Sequence, residues 1–501
     1  MPSRRQFLSA GLVGLSAKTD RRIEGGFVLE SQTLGHRLRD RLPFSASSQH
    51  RRIPLVIVGG GIAGLSAAWE LDRRGFRDFV LVEMEATAGG NSRWGENDVS
   101  PYPWAAHYVP VPDRRTALVR ELFEELGLMR GDECDERHLC HSPQERLFLH
   151  GRWQEGIEPA IGATARDTGQ YRRFESLIQQ HQASGQFTIP IDLGAKASPL
   201  DRISAAEWMR QQGFDSPYLR WYLDYACRDD YGASLEATSA WAAIHYFASR
   251  EQEEHGPFTW PEGNGWIVKR LLTKLGRYLT TGAPVYRIDR TGHRFRIFTP
   301  SVEYLAEAVI FAAPTFLARY VVENAPVAEG FEYSPWLTAN LTLDRLPRHR
   351  GGFEMAWDNV IYGSPSLGYV VATHQNLQSH SERTVWTYYW ALAGRDPADA
   401  RRWLLEAGWT SLKDAILNDL ARAHPDIRQC VARVDVLKLG HAMIRPAVGF
   451  LFSESRRRIA ASGKDRLFFA NSDVSGISIF EEAQYRGVVA ARRALRTLGR
   501  G

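Results

Sequence analysis

The chain has 501 residues, 44% hydrophobic and 24% charged, and its 62 basic and 58 acidic residues leave a formal net charge of +4. These proportions exclude a disordered chain, a collagen and a coiled coil, and the near balance of charge gives no electrostatic case for a nucleic-acid partner. No window approaches the ~18 apolar residues of a membrane span, so no integral membrane segment is expected, and the length predicts roughly two to four domains.

The first feature in chain order is an address. Ser3-Arg4-Arg5-Gln6-Phe7-Leu8 runs into a weakly apolar stretch at 8–17, the pattern of a twin-arginine export signal. It predicts a partner in the export machinery and a periplasmic destination, or a cytoplasmic one if the signal does not function. Residues 18–52 are basic and polar and are expected to lie on the surface as an arm. Pro54-Leu55-Val56-Ile57-Val58 is a continuous apolar run that fits a strand buried on both faces. Gly59-Gly60-Gly61-Ile62-Ala63-Gly64 follows directly, then a helix over 65–74 closed by Gly75, then a second buried strand, Phe79-Val80-Leu81-Val82, ending at Glu83.

Beyond this unit the chain reads mainly helical over 116–250, with an amphipathic helix at 117–126 and an apolar helical stretch at 239–247. Short strands follow at 285–288, 295–298, 308–312, 336–343 and 385–393, then one helix over 401–423, a last buried strand at 467–470 and a last helix at 482–498. Strand alternation puts Trp386, Tyr388 and Trp390 on one face and Tyr389 on the other. The four cysteines, Cys134, Cys140, Cys227 and Cys430, form no CxxC pair, and no histidine stands at zinc-finger spacing, so no metal site is expected. Cys134 and Cys140 are close enough in sequence either to pair or to stay reduced.

The glycine cluster has the context of a dinucleotide fingerprint, after a strand and opening a helix. Gly59 permits the tight turn, Gly61 lets the backbone approach a pyrophosphate, and Gly64 lets helix and strand pack closely. The helix N-terminus at Ile62 and Ala63 offers free N–H groups and a partial positive charge to the phosphates. Glu83 can accept hydrogen bonds from an adenosine ribose and would repel a 2′-phosphate. NAD and FAD share these features.

The residues that follow Glu83 decide between them. Gly89-Gly90 and Arg93 resemble the extended FAD motif of the superfamily of amine oxidases, phytoene desaturases and protoporphyrinogen oxidases. Gly282-Ala283-Pro284-Val285, the strand and Ala-Pro at 308–314, and the C-terminal run around Asp473 and Ile479 continue the likeness in the same order. The resemblance implies an α/β fold: a discontinuous Rossmann-like FAD-binding domain (53–112, 253–314 and 439–501, after the signal and arm of 1–52) and a second α+β substrate domain (113–252 and 315–438) capping the flavin. It implies that Gly59, Gly61, Ile62, Ala63, Gly64, Glu83, Gly89, Gly90, Arg93, Val285, Asp473 and Ile479 bind FAD, and that a small molecule is oxidised by hydride transfer to flavin N5.

The chain departs from the oxidase pattern at two places. The strand 336–343 has no lysine, the position of the oxidase lysine falling near Asn340, and Ile479 stands where the oxidases carry a tyrosine. Both departures weigh against simple amine oxidation. A desaturase of an apolar polyene or tetrapyrrole and a non-enzymatic flavin-binding partner protein stay open as alternatives. His107, in the loop that passes the flavin ring, is read either as an acid or base or as a packed loop histidine. Asn340 and His441 are the other catalytic candidates, with Arg445, the turn 260–265 and His374-Gln375 as weaker ones.

Overall fold

The computed structural model describes residues 22–45, 47–250, 256–376 and 382–500. The Arg4-Arg5 motif lies outside them. The described residues build two large sheets of an α/β fold and three two-stranded ones.

The first sheet has seven strands. Gln49–Val58 is flanked in parallel by Phe79–Val82 and Val302–Phe311, and Leu467–Phe469 adds in parallel to the far end of Val302–Phe311. Alternation explains the apolar run in each strand. Leu55, Ile57, Phe79 and Leu81 face the helix Ile62–Arg73 and the C-terminal helix Phe480–Thr497, whereas Val56, Val58, Val80 and Val82 enter a separate core on the opposite face. Over 55–58 and 79–82 both faces are buried, so these stretches are wholly apolar. The two helices touch: a Cβ on Gly487 would fall 2.1 Å from the Ala63 carbonyl oxygen.

The second sheet has eight strands and is mostly antiparallel. Its centre is Tyr333–Leu343 between Thr384–Ala391 and Val431–Ile444. Leu337, Ala339, Leu341 and Leu343 pack with Trp386 and Tyr388 against the helices Pro397–Glu406 and Trp409–Leu420. Tyr389 lies on the other face, with Trp336 and Trp357. A helical layer that includes Ala165–Ala183, Pro217–Tyr231 and Ala240–Ala248 has its own core around Phe174, Trp208 and Trp241.

Several expectations change. The described part of 18–52, residues 22–45 and 47–52, is not a free arm. Glu24–Val28 pairs in parallel with Val431–Ile444 as the edge of the second sheet, Glu30–Arg39 is a helix, and the first strand of the other sheet begins at Gln49. Residues 439–444 stay in the second sheet, because Leu439, Met443 and Ile444 pair with Trp336, Ser334 and Tyr333 across a register shift. The helix expected over 401–423 is two, broken at Gly408, whose extended ψ of 155° starts the second. Residues 282–286 form a loop, and the hairpin strand starts at Arg287. The cysteines form no disulfide. Among the described residues no helix is long and apolar enough to cross a membrane, and no group of three metal-ligating side chains occurs.

Candidate functional site

The cradle starts where the strand Gln49–Val58 ends. Gly59 adopts φ +105°, and a Cβ there would stand 2.8 Å from the Ala313 nitrogen. The Gly60 N–H donates to Glu83 Oε2 at 2.6 Å and the Glu85 N–H to Glu83 Oε1 at 2.9 Å, so the carboxylate is held at the end of its strand. Burial raises the Glu83 pKa, and these two N–H groups act against the rise.

The second glycine turn closes on the first. Gly89 (φ +132°) and Gly90 (φ +56°) bend the chain so that the Gly89 N–H donates to the Gly60 carbonyl at 2.8 Å. A Cβ on Gly61 would meet only the Gly90 Cα, at 3.9 Å, and Gly61 has an ordinary φ of −75°. The space at Gly61 is therefore open, at the N-terminus of Ile62–Arg73, where the N–H groups of the first turn have no intrahelical partner. A pyrophosphate fits this cradle, and the backbone supplies its donors. Gly282 and Ala283 donate to the carbonyls of Glu85 and Glu83 at 2.8 and 2.9 Å, which sets the loop leading to Val285 beside the Glu83 carboxylate. The Val285 side chain itself packs into the core with Val80 and Val82.

Arg93 is held in place by three groups. Its Nε donates to the Gly90 carbonyl at 3.0 Å, and its Nη1 to both Ser31 Oγ and Glu85 Oε2 at 2.7 Å. Ser31 donates in turn to Glu85, and the Ala86 N–H donates to Glu30 Oε1 at 2.6 Å. The segment expected to be a free arm is thus a strap across the cradle. Further along it, Phe44 stacks on Tyr286, next to Val285, with ring centroids 5.0 Å apart.

Asp473 is buried and accepts from the Thr315 N–H at 2.7 Å and the Tyr333 hydroxyl at 2.8 Å, with burial pushing its pKa up to about 6. Its carboxylate ties the last strand to the Ala313-Pro314 turn. Ile479 is the N-cap of Phe480–Thr497 and is half-buried.

Four segments converge next to the glycine pair. The Ala106 N–H donates to the Asn91 carbonyl, and Asn91 Nδ2 donates to the Ala442 carbonyl, both at 2.8 Å. The Ile444 N–H donates to Ser478 Oγ at 3.0 Å. The turn 260–265 packs on the same place, since a Cβ on Gly263 would fall 2.7 Å from the His107 Cα. His107 and His441 therefore stand on segments that adjoin the cofactor loop.

His107 stacks on Tyr389 at 4.7 Å and lies 5.4 Å from the Trp357 ring. Its Nδ1 is 3.2 Å from the Ala105 carbonyl oxygen, which only accepts, so Nδ1 carries the proton and Nε2 presents a lone pair. Burial lowers its pKa to about 4, and the ring is neutral at neutral pH. His441 stacks on Phe316 at 4.3 Å. Asn340 has no free polar atom: Nδ2 donates to the Pro103 carbonyl at 3.1 Å and Oδ1 accepts from Thr387 at 2.7 Å. It joins strand to loop instead of presenting a group to substrate. His374 and Gln375 are used in bracing residues 139–141, and Arg445 is buried facing Glu332 and Asp396.

Beyond His107 the wall becomes acidic. Asp229, Asp230 and Asp358 are half-buried and Glu145 is exposed, yet burial is the largest cause raising the pKa of each. Burial pushes Asp229 and Glu145 up to about 7 and Asp230 to about 6; the charges of Asp230 and Glu145 add to the rise of Asp229, Glu158 adds to that of Glu145, and Arg250 opposes that of Asp230. Tyr389 feels the charge of Asp358 and Asp229, which links this acidic group to the His107 ring box. Arg250, the cation of this wall, pairs with Glu481 at 3.2 Å. None of these carboxylates was singled out by the sequence. They come from the strands Glu145–Leu149 and Asp358–Ile361 and the helix Pro217–Tyr231, without a shared motif.

The family model described as flavin containing amine oxidoreductase matches residues 62–495. An L-amino acid dehydrogenase of Synechocystis sp. is 23% identical over 285 residues, 54% of this chain and 58% of that protein. A zeta-carotene-forming phytoene desaturase of Myxococcus xanthus is 25% identical over 279 residues, 50% of this chain and 51% of that protein. The match thus spans about half the length of these curated relatives. A putrescine oxidase solved with putrescine bound superposes with a TM-score of 0.67 at 16% identity, over 89% of this chain and 99% of that one.

Proposed function

The chain belongs to the flavin-containing amine oxidoreductase family and is an FAD-dependent enzyme of that family, and on that premise we propose that it oxidises a cationic amine. The observation that carries this reading is the group of carboxylates, Asp358 and Asp229 foremost, whose charge reaches Tyr389, the ring stacked on His107. Bound FAD supplies the two-electron acceptor, taking a hydride at N5. The protein supplies position and field. The cradle residues from Gly59 to Gly64, with Glu83 and the Gly89–Gly90 turn, fix the dinucleotide. His107, neutral and with a free Nε2 lone pair, accepts a hydrogen bond from the substrate nitrogen. Tyr389 and Trp357 exclude water from the ring box, and the carboxylates attract the cation.

An apolar polyene fits poorly, because it would set hydrocarbon against several carboxylates with no compensating partner. The test is anaerobic mixing of the purified yellow protein with primary and secondary amines. Bleaching of the flavin supports the reading, and bleaching by a polyene or porphyrinogen but by no amine overturns it. We place the enzyme in the periplasm, on the support of Arg4-Arg5 and the mild apolar stretch behind them.

A further inference from the structure

The strap helix Glu30–Arg39 carries a glycine that its own backbone does not need. Gly35 lies in the middle of the helix, where glycine weakens the helix relative to alanine. A Cβ there would meet open space, with no neighbouring group within 4 Å. Yet Gly35 is turned inward. Ser31 stands four residues before it and Leu38 three after, on the same face of the helix. Ser31 accepts from Arg93 Nη1 at 2.7 Å and donates to Glu85, and Leu38 is buried with Val58, Val82 and Val285. Gly35 therefore stands over the ground between the Gly89–Gly90 turn and the strand ends that lead into Gly59 and Glu83, and protein does not fill the space beneath it.

A second observation points the same way. The side-chain carbonyl of Gln32, Oε1, is buried and has no hydrogen-bond partner among the described residues. A buried acceptor without a donor is costly. Gln32 follows Ser31 directly and lies three residues before Gly35, so it flanks the same opening. Thr33, on the opposite side of the helix, is exposed. The glycine and the unmatched acceptor thus share the half of the helix that Ser31 and Leu38 hold against the cradle.

We infer that the strap helix is part of the cofactor site: the dinucleotide passes beneath Gly35, and Gln32 Oε1 accepts a hydrogen bond from one of its sugar hydroxyls. Ionised phosphate oxygens only accept, so the match for Oε1 is a hydroxyl and not the pyrophosphate. The inference concerns FAD alone and stands apart from the amine reading. The family match begins at residue 62, so both residues lie outside it. A dinucleotide clasped between the glycine turns and this helix leaves only when the helix lifts, and the strap contacts through Glu30, Ser31 and Phe44 slow that step.

The test follows FAD release from holoenzyme variants, read as flavin fluorescence after dilution, beside the rate at which trypsin cuts the strap after Arg37, Arg39 and Arg41. Gln32→Leu should release FAD about tenfold faster than the wild type with its strap no more open to trypsin, since it loses the contact and keeps the clasp. Gly35→Leu should release it at least about tenfold faster, because a side chain beneath the helix takes the dinucleotide's place. A Gly35→Leu protein that purifies folded and colourless is the same result at its limit, and if that variant fails to fold, Gln32→Leu decides. Thr33→Leu, on the outer side, should release FAD at the wild-type rate. Wild-type release from Gln32→Leu overturns the hydrogen bond, and wild-type release from Gly35→Leu overturns the passage beneath the helix. Faster release from Gln32→Leu that comes with faster cleavage, or release from Thr33→Leu as fast as from the other two, means a loosened strap and overturns the contact.

Discussion

Gly61 and Gly64 stand in opposite surroundings: a Cβ on Gly64 would fall 1.9 Å from the Gly59 carbonyl oxygen, whereas one on Gly61 meets nothing nearer than the Gly90 Cα at 3.9 Å. The two glycines of one motif therefore serve different ends. Gly64 belongs to the fold, and Gly61 to the ligand.

The first prediction follows from this pair. Gly61→Val should fold, because the site is open and φ is −75°, yet purify without its 450 nm flavin absorbance. Gly64→Ala should lose stability by at least about 1–3 kcal/mol, the cost of overpacking against rigid backbone. A yellow, FAD-loaded Gly61→Val protein would place the pyrophosphate elsewhere.

The strap gives the second. Gly25 has φ +127°, and a Cβ there would lie 1.9 Å from the Val434 carbonyl oxygen, so Gly25→Val should undock the edge strand Glu24–Val28. Ser31→Ala removes one acceptor from Arg93. Both should speed FAD release, by about tenfold for a loss of ~1.4 kcal/mol. The recovery of flavin fluorescence after dilution measures it, and unchanged release would make the strap a bystander to cofactor retention.

His107 and Asn340 should part company under substitution. His107→Ala should slow anaerobic flavin reduction by about 10²–10⁴-fold at normal FAD content. Asn340→Ala orphans the Pro103 carbonyl and the Thr387 hydroxyl and should cost about 1–3 kcal/mol of stability. Stopped-flow rates and melting curves on both variants distinguish the two roles, and the reverse pattern would exchange them.

Cation binding should depend on pH in one direction. Asp229 and Glu145, near 7, and Asp230, near 6, take up protons as pH falls. A cation prefers their charged forms, so affinity rises from about pH 6 to 8 and binding at pH 7 releases protons. Arg250 and Tyr225 interact with these carboxylates but are both raised further above their usual values, Tyr225 well above, so neither titrates in this range. Calorimetry in buffers of different ionisation enthalpy reads the release, and proton uptake on binding would contradict the acidic wall.

Export is tested at the signal. Arg4→Lys with Arg5→Lys keeps the charge but removes the guanidinium pair a receptor would read. The double variant should accumulate in the cytoplasm, folded and yellow, and an unchanged periplasmic yield would reduce Arg4-Arg5 to a basic tail.

The cofactor end of the molecule was readable in the sequence because its groups are local. Gly59 to Glu83 is one strand–turn–helix–strand unit, and Gly89, Gly90 and Arg93 follow directly. The substrate end was not, because Glu145, Asp229 and Asp358 meet only after two strands and a helix from distant segments pack together. The strap was misread for a different reason. Glu24–Val28 is an edge strand with two glycines and half-buried side chains, so it carries neither an apolar run nor a clean alternation. Gly408 divides what periodicity alone joins into one helix, since Ala407 and Gly408 are too few to interrupt the apolar pattern.

Strands Gln49–Val58 and Leu467–Phe469 both flank Val302–Phe311 in one sheet, and a ribosome delivers the first of them long before the last. The flavin cradle is therefore incomplete until both have been made. The helix carrying Gly487, which backs the glycine turn against Ala63, is made roughly four hundred residues after that turn. Flavin can be captured only once that helix has been made and packed, in whichever compartment the chain folds. A translocation route that passes only unfolded polypeptide would have to find FAD on the far side of the membrane, whereas one that passes folded cargo can load the cofactor where it is made.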